Sequence, residues 1–154
     1  MNTFHTRLPF LRLLVLILFF AGAQTGTIHA QKLTRFLITD NLASSVKFGY
    51  GKPKPAPPKD KFVILPERGT QVLCYADILP DDQTPDAYKL KFTAFRIDDG
   101  KETWVDDRVF DGKKTSTYAL IAFNLFEPGK YRIAVTGKDE KERLGSAELQ
   151  VVKE

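Results

Sequence analysis

The chain has 154 residues, a formal net charge of +4 and a single cysteine, Cys74. One cysteine excludes an intramolecular disulfide, and the two histidines, His5 and His29, lie in or beside the N-terminal apolar segment. Catalytic triads need an imidazole base, and zinc sites usually draw on several His or Cys side chains. The composition therefore predicts a protein that is not an enzyme and that carries no cofactor.

Residues 1–30 have the organisation of a cleavable secretory signal peptide. Arg7 and Arg12 precede a run over 13–20 that contains only Leu, Val, Ile and Phe. The run is much shorter than the roughly 20 apolar residues that a membrane-spanning helix needs. We therefore expect the segment to be removed during export. An uncleaved amphipathic or core segment is the alternative.

Two small-residue sites follow the apolar run, and we expect cleavage after Ala23 or Ala30. Residues 31–154 then form one domain of about 125 residues, a length that suits a single core. Cleavage of this leader, residues 1–30, takes away two arginines and no acid. The net charge of the domain is therefore about +2 instead of the +4 of the whole chain. Lysines and acids are interspersed, which argues against nucleic acid as a partner. A core without disulfides favours a bacterial periplasmic or secreted protein. We expect no stable membrane insertion after the signal peptide is cleaved.

Short apolar stretches separated by Pro, Gly and Asp predict an all-β domain, because no long segment has the helical period. The first half contains four closely spaced prolines, which cannot join the interior of a sheet. The predicted elements there are strands over 33–39 and 46–50, an extended crossover over 51–59, and strands over 62–65 and 72–78.

The second half contains a change of hydrophobic phase. Tyr88, Leu90 and Phe92 alternate with polar residues, but Phe95 then falls on the opposite phase, which predicts a β-bulge near Ala94. Asp98-Asp99-Gly100 predicts a hairpin turn, since Asp-Gly readily supplies positive φ values. The other predicted elements are strands over 101–110, 118–126 (central in its sheet), 131–135 and 147–151, with turns at Asp111-Gly112 and 137–142.

Eight or so short strands at this spacing predict a two-sheet sandwich. The segment 126–135, FEPGKYRIAV, followed by GSAEL at 145–149, resembles the end of many bacterial immunoglobulin-like and macroglobulin-like modules. The resemblance covers the last third of the chain and implies an immunoglobulin-like sandwich of the cysteine-free bacterial branch. It implies nothing about ligands. Within this segment, Pro128-Gly129 predicts a type II turn with positive φ at Gly129.

Trp104 is the first candidate for binding. It shares an alternation with Asp106 and Arg108, while Val105 and Val109 share the opposite one, so we expect the indole on the outer face. A solvent-facing aromatic can stack on a sugar ring or on a partner, or it can cap the sandwich edge. A carbohydrate-binding module would use Trp104 together with Tyr118 or Tyr88.

Two other features have structural and functional interpretations. An acidic cluster is interpreted as solvated turn residues, with calcium binding or a minimal carboxylate-dependent hydrolase as alternatives. Cys74 is in phase with Val72 and Ala76, which predicts a core position, and a reactive or dimer-forming thiol is the alternative. The acids are Asp98, Asp99, Asp106, Asp107 and Asp111.

Taken together, these features predict an exported, non-enzymatic binding or structural module of the bacterial cell envelope. Its partner would be a protein or a glycan. A carbohydrate-binding module and a minimal carboxylate-dependent hydrolase are the two alternatives.

Overall fold

The computed structural model describes residues 32–43, 52–82, 84–137 and 143–154, which fold as an all-β sandwich. The leader, the strand predicted at 46–50 and most of the turn predicted at 137–142 lie outside these residues. No helix in the described part of the chain could cross a membrane. The strands are β1 (Lys32–Thr39), β2 (Leu42–Ala43), β3 (Lys54–Pro55), β4 (Lys61–Ile64), β5 (Thr70–Leu79), β6 (Ala87–Asp98), β7 (Lys101–Lys113), β8 (Tyr118–Leu125), β9 (Gly129–Thr136) and β10 (Arg143–Lys153).

Two main sheets form the sandwich. One has the order β1-β5-β8 and the other β4-β10-β9-β6-β7, while β2 and β3 form a small separate pair. Strand β4 runs parallel to β10, and the other paired strands are antiparallel. One sheet contains β5 and β8, and the other contains β6, β9 and β10. Immunoglobulin domains divide their strands in the same way, with B and E in one sheet and C, F and G in the other. The predicted fold class is confirmed.

The core lies between the inner faces of β5, β6, β9 and β10. Along the middle of β5, β6 and β9 and near the end of β10, alternate residues are apolar and buried, and burying each large side chain stabilises the fold by about 1.5–3 kcal/mol. Cys74 is fully buried, as predicted, and desolvation raises the pKa of its thiol. A reactive thiol is disfavoured there. The core side chains include Val72, Cys74, Ala76, Leu90, Phe92, Ile133, Val135 and Leu149.

The corner before β9 explains the resemblance to immunoglobulin-like modules. The hydroxyl of buried Tyr131 donates a hydrogen bond to the backbone oxygen of Glu127 at 2.9 Å. A tyrosine that bonds back to the chain at the start of strand F is the tyrosine corner of this fold. Gly129 pairs with Val151 and has a φ of 158°. The predicted positive φ at Gly129 is confirmed. The predicted type II turn is wrong, because that turn requires a φ near +80° and Gly129 already belongs to β9.

The predicted hairpin between β6 and β7 and the predicted position of a bulge along them are confirmed. Asp99 and Gly100 have φ values of 50° and 78°, so the hairpin has the two positive φ values of a type I′ turn. The register between the strands shifts between Ala94 and Phe95, where the bulge was predicted. The extra residue is Val105 on β7. Strand β6 itself stays in register with β9, so the predicted change of face within β6 is wrong.

Two other predictions for this half are wrong. Asp111-Gly112 is not a turn, because Gly112 pairs with Tyr88 inside β7. A Cβ atom at Gly112 would lie 2.2 Å from the Tyr88 ring, so the glycine permits a close approach of that ring. Strand β8 lies at the edge of its sheet, not at the centre. Its outward apolar residues include Tyr118, which stacks on Tyr75. The two ring centroids are 6.1 Å apart and the angle between the ring planes is 9°.

The proline-rich segment stays outside both main sheets, as predicted, and lies against the three-stranded one. Lys52 forms an ion pair with Asp77 of β5, and the Lys59 amide donates a hydrogen bond to the Ile38 oxygen at 2.9 Å. Tyr75 points away from the core but is only 1% exposed. The outer side of the three-stranded sheet is therefore closed around Tyr75.

Candidate functional site

The outward surface of the five-stranded sheet, here called the outer face, carries an aromatic and charged row. Trp104 of β7 is paired with Phe95 of β6, Phe95 with Arg132 of β9, and Arg132 with Glu148 of β10. Directly paired side chains on one face have Cβ atoms about 4.5–5.5 Å apart. The register therefore aligns these four side chains across the sheet.

The bulge determines which side chains accompany Trp104. Val105 is left unpaired, so Trp104 is opposite outward-facing Phe95 while Asp106 is opposite inward-facing Ala94. The indole lies on the outer face as predicted and is 60% exposed. The predicted grouping of Trp104 with Asp106 and Arg108 is wrong, because the extra residue reverses the alternation.

A network of ion pairs crosses the outer face beside the aromatic rings. Arg132 binds both Glu102 and Glu148. Arg143 Nη2 lies 3.3 Å from Glu102 Oε2, and Lys130 Nζ lies 2.6 Å from Glu148 Oε2. Arg132, Glu102 and Glu148 thus each have two oppositely charged partners.

The network keeps its acids ionised. Hydrogen bonds from Lys130 and Arg132 lower the pKa of Glu148 to about 2. Desolvation opposes ionisation of Glu102, but hydrogen bonds from Arg143 and Arg132 outweigh it and hold its pKa below the ordinary value. Both carboxylates are therefore acceptors at neutral pH.

A groove of about 370 Å³, here called the outer groove, lies next to Trp104 on this face. The Arg143 guanidinium lies 5.9 Å from the Phe95 ring centroid, a cation–π distance. The groove thus combines aromatic rings with hydroxyl and cationic donors. It is lined by Lys91, Thr93, Phe95, Trp104, Ala134, Thr136 and Arg143.

A second groove of about 460 Å³, here called the edge groove, has Trp104 in its lining as well. It lies where β7 approaches the end of β8 and the corner before β9. Phe126 lines it and is 66% exposed, and Asn124 and Val105 are further lining residues. Arg96 also lines it and is bound to Asp98 and Glu127.

The other two predicted aromatic residues do not join Trp104. Tyr118 belongs to the opposite sheet and stacks on Tyr75. Tyr88 is paired with Gly112, seven residues along β6 from Phe95, which is about 23 Å of strand. The structure therefore does not bring the three rings to one surface.

The acids of β7 are strand residues with cationic partners, which corrects their interpretation as turn residues. Asp106 lies 2.8 Å from Arg108, and Asp107 lies 3.3 Å from Lys91. The register puts Asp106 and Asp107 on opposite sides of the strand. In the part of the chain that the structure describes, no three His, Cys, Asp or Glu side chains form a metal-binding group. Of the five acids in the predicted cluster, Asp98 and Asp99 are the two that lie at a turn, the hairpin between β6 and β7.

Sequence reasoning missed Phe95, Phe126 and Arg143 as candidate binding residues. The change of hydrophobic phase at Phe95 is visible in the sequence. Treating β6 as one continuous strand would have predicted that the Phe95 side chain points outward. Arg143 comes to Phe95 through sheet pairing between distant segments, which no local pattern indicates.

Comparison with protein-family models gave no match, and comparison with curated proteins also gave none. Among solved structures, the chain is similar to an immunoglobulin-like protein from Pseudomonas aeruginosa. The two are 13% identical with a TM-score of 0.47, over 82% of this chain and 100% of that chain. A likeness of this degree carries no information about ligand or activity.

Proposed function

We propose that the mature chain is an exported, non-enzymatic carbohydrate-binding module of the bacterial cell envelope, with Trp104 as its anchor. The observation that carries the proposal is the 60% exposed indole beside a groove with hydrogen-bonding side chains. An aromatic ring offers an apolar surface to the C–H face of a sugar. Thr136 and Arg143 line the same groove and can bond to the sugar hydroxyls.

The charges around Trp104 favour a sugar over a large protein interface. The centres of protein interfaces are depleted in charged residues, whereas the outer face carries the Arg132, Glu102 and Glu148 network. Covering these ion pairs with an apolar partner would require costly desolvation. Sugar hydroxyls can instead bond to the unused donors and acceptors of the network.

The absence of activity is supported by the side chains near the grooves. Asp107 and Asp106 have cationic partners and point to opposite sides of β7, so they do not form the facing carboxylate pair of a glycosidase. With cleavage after Ala30, the mature domain would have no histidine. Export is supported by the apolar run over 13–20 behind Arg7 and Arg12.

A glycan array tests the proposal with three proteins: the mature domain, Trp104→Ala and Leu79→Ala. Leu79 is 55% exposed and belongs to the three-stranded sheet, so it is the matched control for loss of a surface apolar side chain. We expect the wild type and Leu79→Ala to bind the same glycans and Trp104→Ala to lose them. Equal binding by Trp104→Ala, or no glycan bound by the wild type, would contradict the proposal.

A protein partner is the second candidate, because Val105 and Phe126 expose apolar surface in the edge groove. Exposed apolar patches with polar rims often mark protein interfaces. A defined protein ligand whose binding is lost in Phe126→Ala, together with an empty glycan array, would favour this candidate.

A further inference from the structure

The position of Trp104 between two grooves bears on the length of the ligand. The indole lines both the outer groove and the edge groove, whose volumes are about 370 and 460 Å³. Each volume lies near the lower end of the roughly 300–1,000 Å³ that is usual for ligand sites. A ligand stacked on Trp104 thus has two grooves next to its contact.

We propose that the ligand is an oligosaccharide that crosses Trp104 and places at least one sugar unit in each groove. The proposal rests on the proposed function and deepens it by defining two subsites. Trp104 is the shared wall, Phe95 and Arg143 belong to the outer subsite, and Phe126 and Asn124 belong to the edge subsite.

The edge groove has the chemistry of a second sugar subsite. Phe126 is more exposed than Trp104, at 66% against 60%, and gives the groove a second aromatic surface. Asn124 is exposed and has an amide that both donates and accepts hydrogen bonds. Arg96 and Glu127 form an ion pair in the same lining. The groove therefore also has a positively charged guanidinium and a negatively charged carboxylate.

The outer groove differs in its small, flat floor. Thr93 is paired with Ala134, and both are buried. These two short side chains form the floor of the groove, which the longer Lys91 and Trp104 side chains also line. The Arg143 guanidinium lies 5.9 Å from the centroid of the Phe95 ring and forms an ion pair with Glu102. A sugar unit in this groove would contact Trp104, which also lines the edge subsite.

The test is calorimetric titration of the mature protein with glucose, N-acetylglucosamine and their cello-, malto- and chito-oligosaccharides of two to six units. For at least one series we expect the trisaccharide to bind about tenfold more tightly than the monosaccharide, which corresponds to about 1.4 kcal/mol. Affinity should then level off with further length. Phe126→Ala and Asn124→Ala should reduce this gain, and Leu79→Ala should preserve it.

Asn124→Ala is included because Phe126 packs near Gly69, so its removal could disturb the fold. Thermal melting of each variant controls for that effect. If a series binds through Trp104 with an affinity independent of length, or if neither edge variant changes the gain, the two-subsite inference is overturned and the proposed function stands. If no series binds the wild type, both are overturned.

Discussion

Trp104 is the cross-strand partner of Phe95, and the unpaired Val105 that follows it separates Trp104 from the face occupied by Asp106. The bulge thus puts the one tryptophan of the chain on the open face of the larger sheet. Bulges commonly redirect a side chain near a functional site.

Tyr131→Phe should lower the free energy of unfolding by about 0.5–1.5 kcal/mol, the usual contribution of one hydrogen bond. The substitution removes the hydroxyl that binds the Glu127 oxygen at 2.9 Å and keeps the buried ring. Urea denaturation measures the difference. Tyr118→Phe is the control, because its stacking on Tyr75 uses the ring, and an equal loss in both variants would argue against the corner hydrogen bond.

Gly69→Ala should destabilise the protein more than Gly100→Ala. Both glycines have left-handed φ values, 68° and 78°, for which a side chain costs about 1–3 kcal/mol. A Cβ atom at Gly69 would also lie 2.7 Å from the Leu125 oxygen, whereas nothing lies within 4 Å at Gly100. Urea midpoints that fall by the same amount would show that the close contact at Gly69 relaxes without cost.

Glu148→Gln should reduce the melting temperature at neutral pH, and the reduction should fade in acid. The folded pKa of Glu148, about 2, lies below its ordinary value of 4.5. Its stabilising effect is therefore complete above pH 4.5 and is lost as the pH falls towards 2. Melting curves of both proteins from pH 2 to 7 measure this. A difference in melting temperature that is the same at pH 2.5 and pH 7 would contradict the lowered pKa of Glu148. Asp82→Asn, which neutralises an acid in a loop, is the control for the loss of one negative charge.

Expression with the leader in a bacterial host should give a mature N-terminus at Gln24 or Gln31. Both residues follow an alanine behind the apolar run, where signal peptidases cut after small residues. Intact-mass analysis of the periplasmic fraction reports the cleavage point. Recovery of the full-length chain alone would refute cleavage.

Local patterns were sufficient for the fold class, the approximate positions of the longer described strands and the hairpin at Asp99 and Gly100, because these depend on neighbouring residues. Gly112 shows where local reasoning fails: an Asp-Gly pair usually indicates a turn, but here the glycine accommodates the distant Tyr88 ring. The candidate site was predicted only through Trp104. Its partner Phe95 depends on an extra residue in β7, and Arg143 meets Glu102 from 41 positions away.

The most direct test of the account is the fluorescence of Trp104, since the chain contains no other tryptophan. The mature protein is titrated with the glycan that binds it most strongly on the array, and emission and acrylamide quenching are recorded. A sugar stacked on the exposed indole should shift the emission to shorter wavelength and protect it from acrylamide, with the same dissociation constant as calorimetry. Glycan binding by calorimetry with unchanged emission and unchanged quenching would contradict the assignment of Trp104 as the anchor.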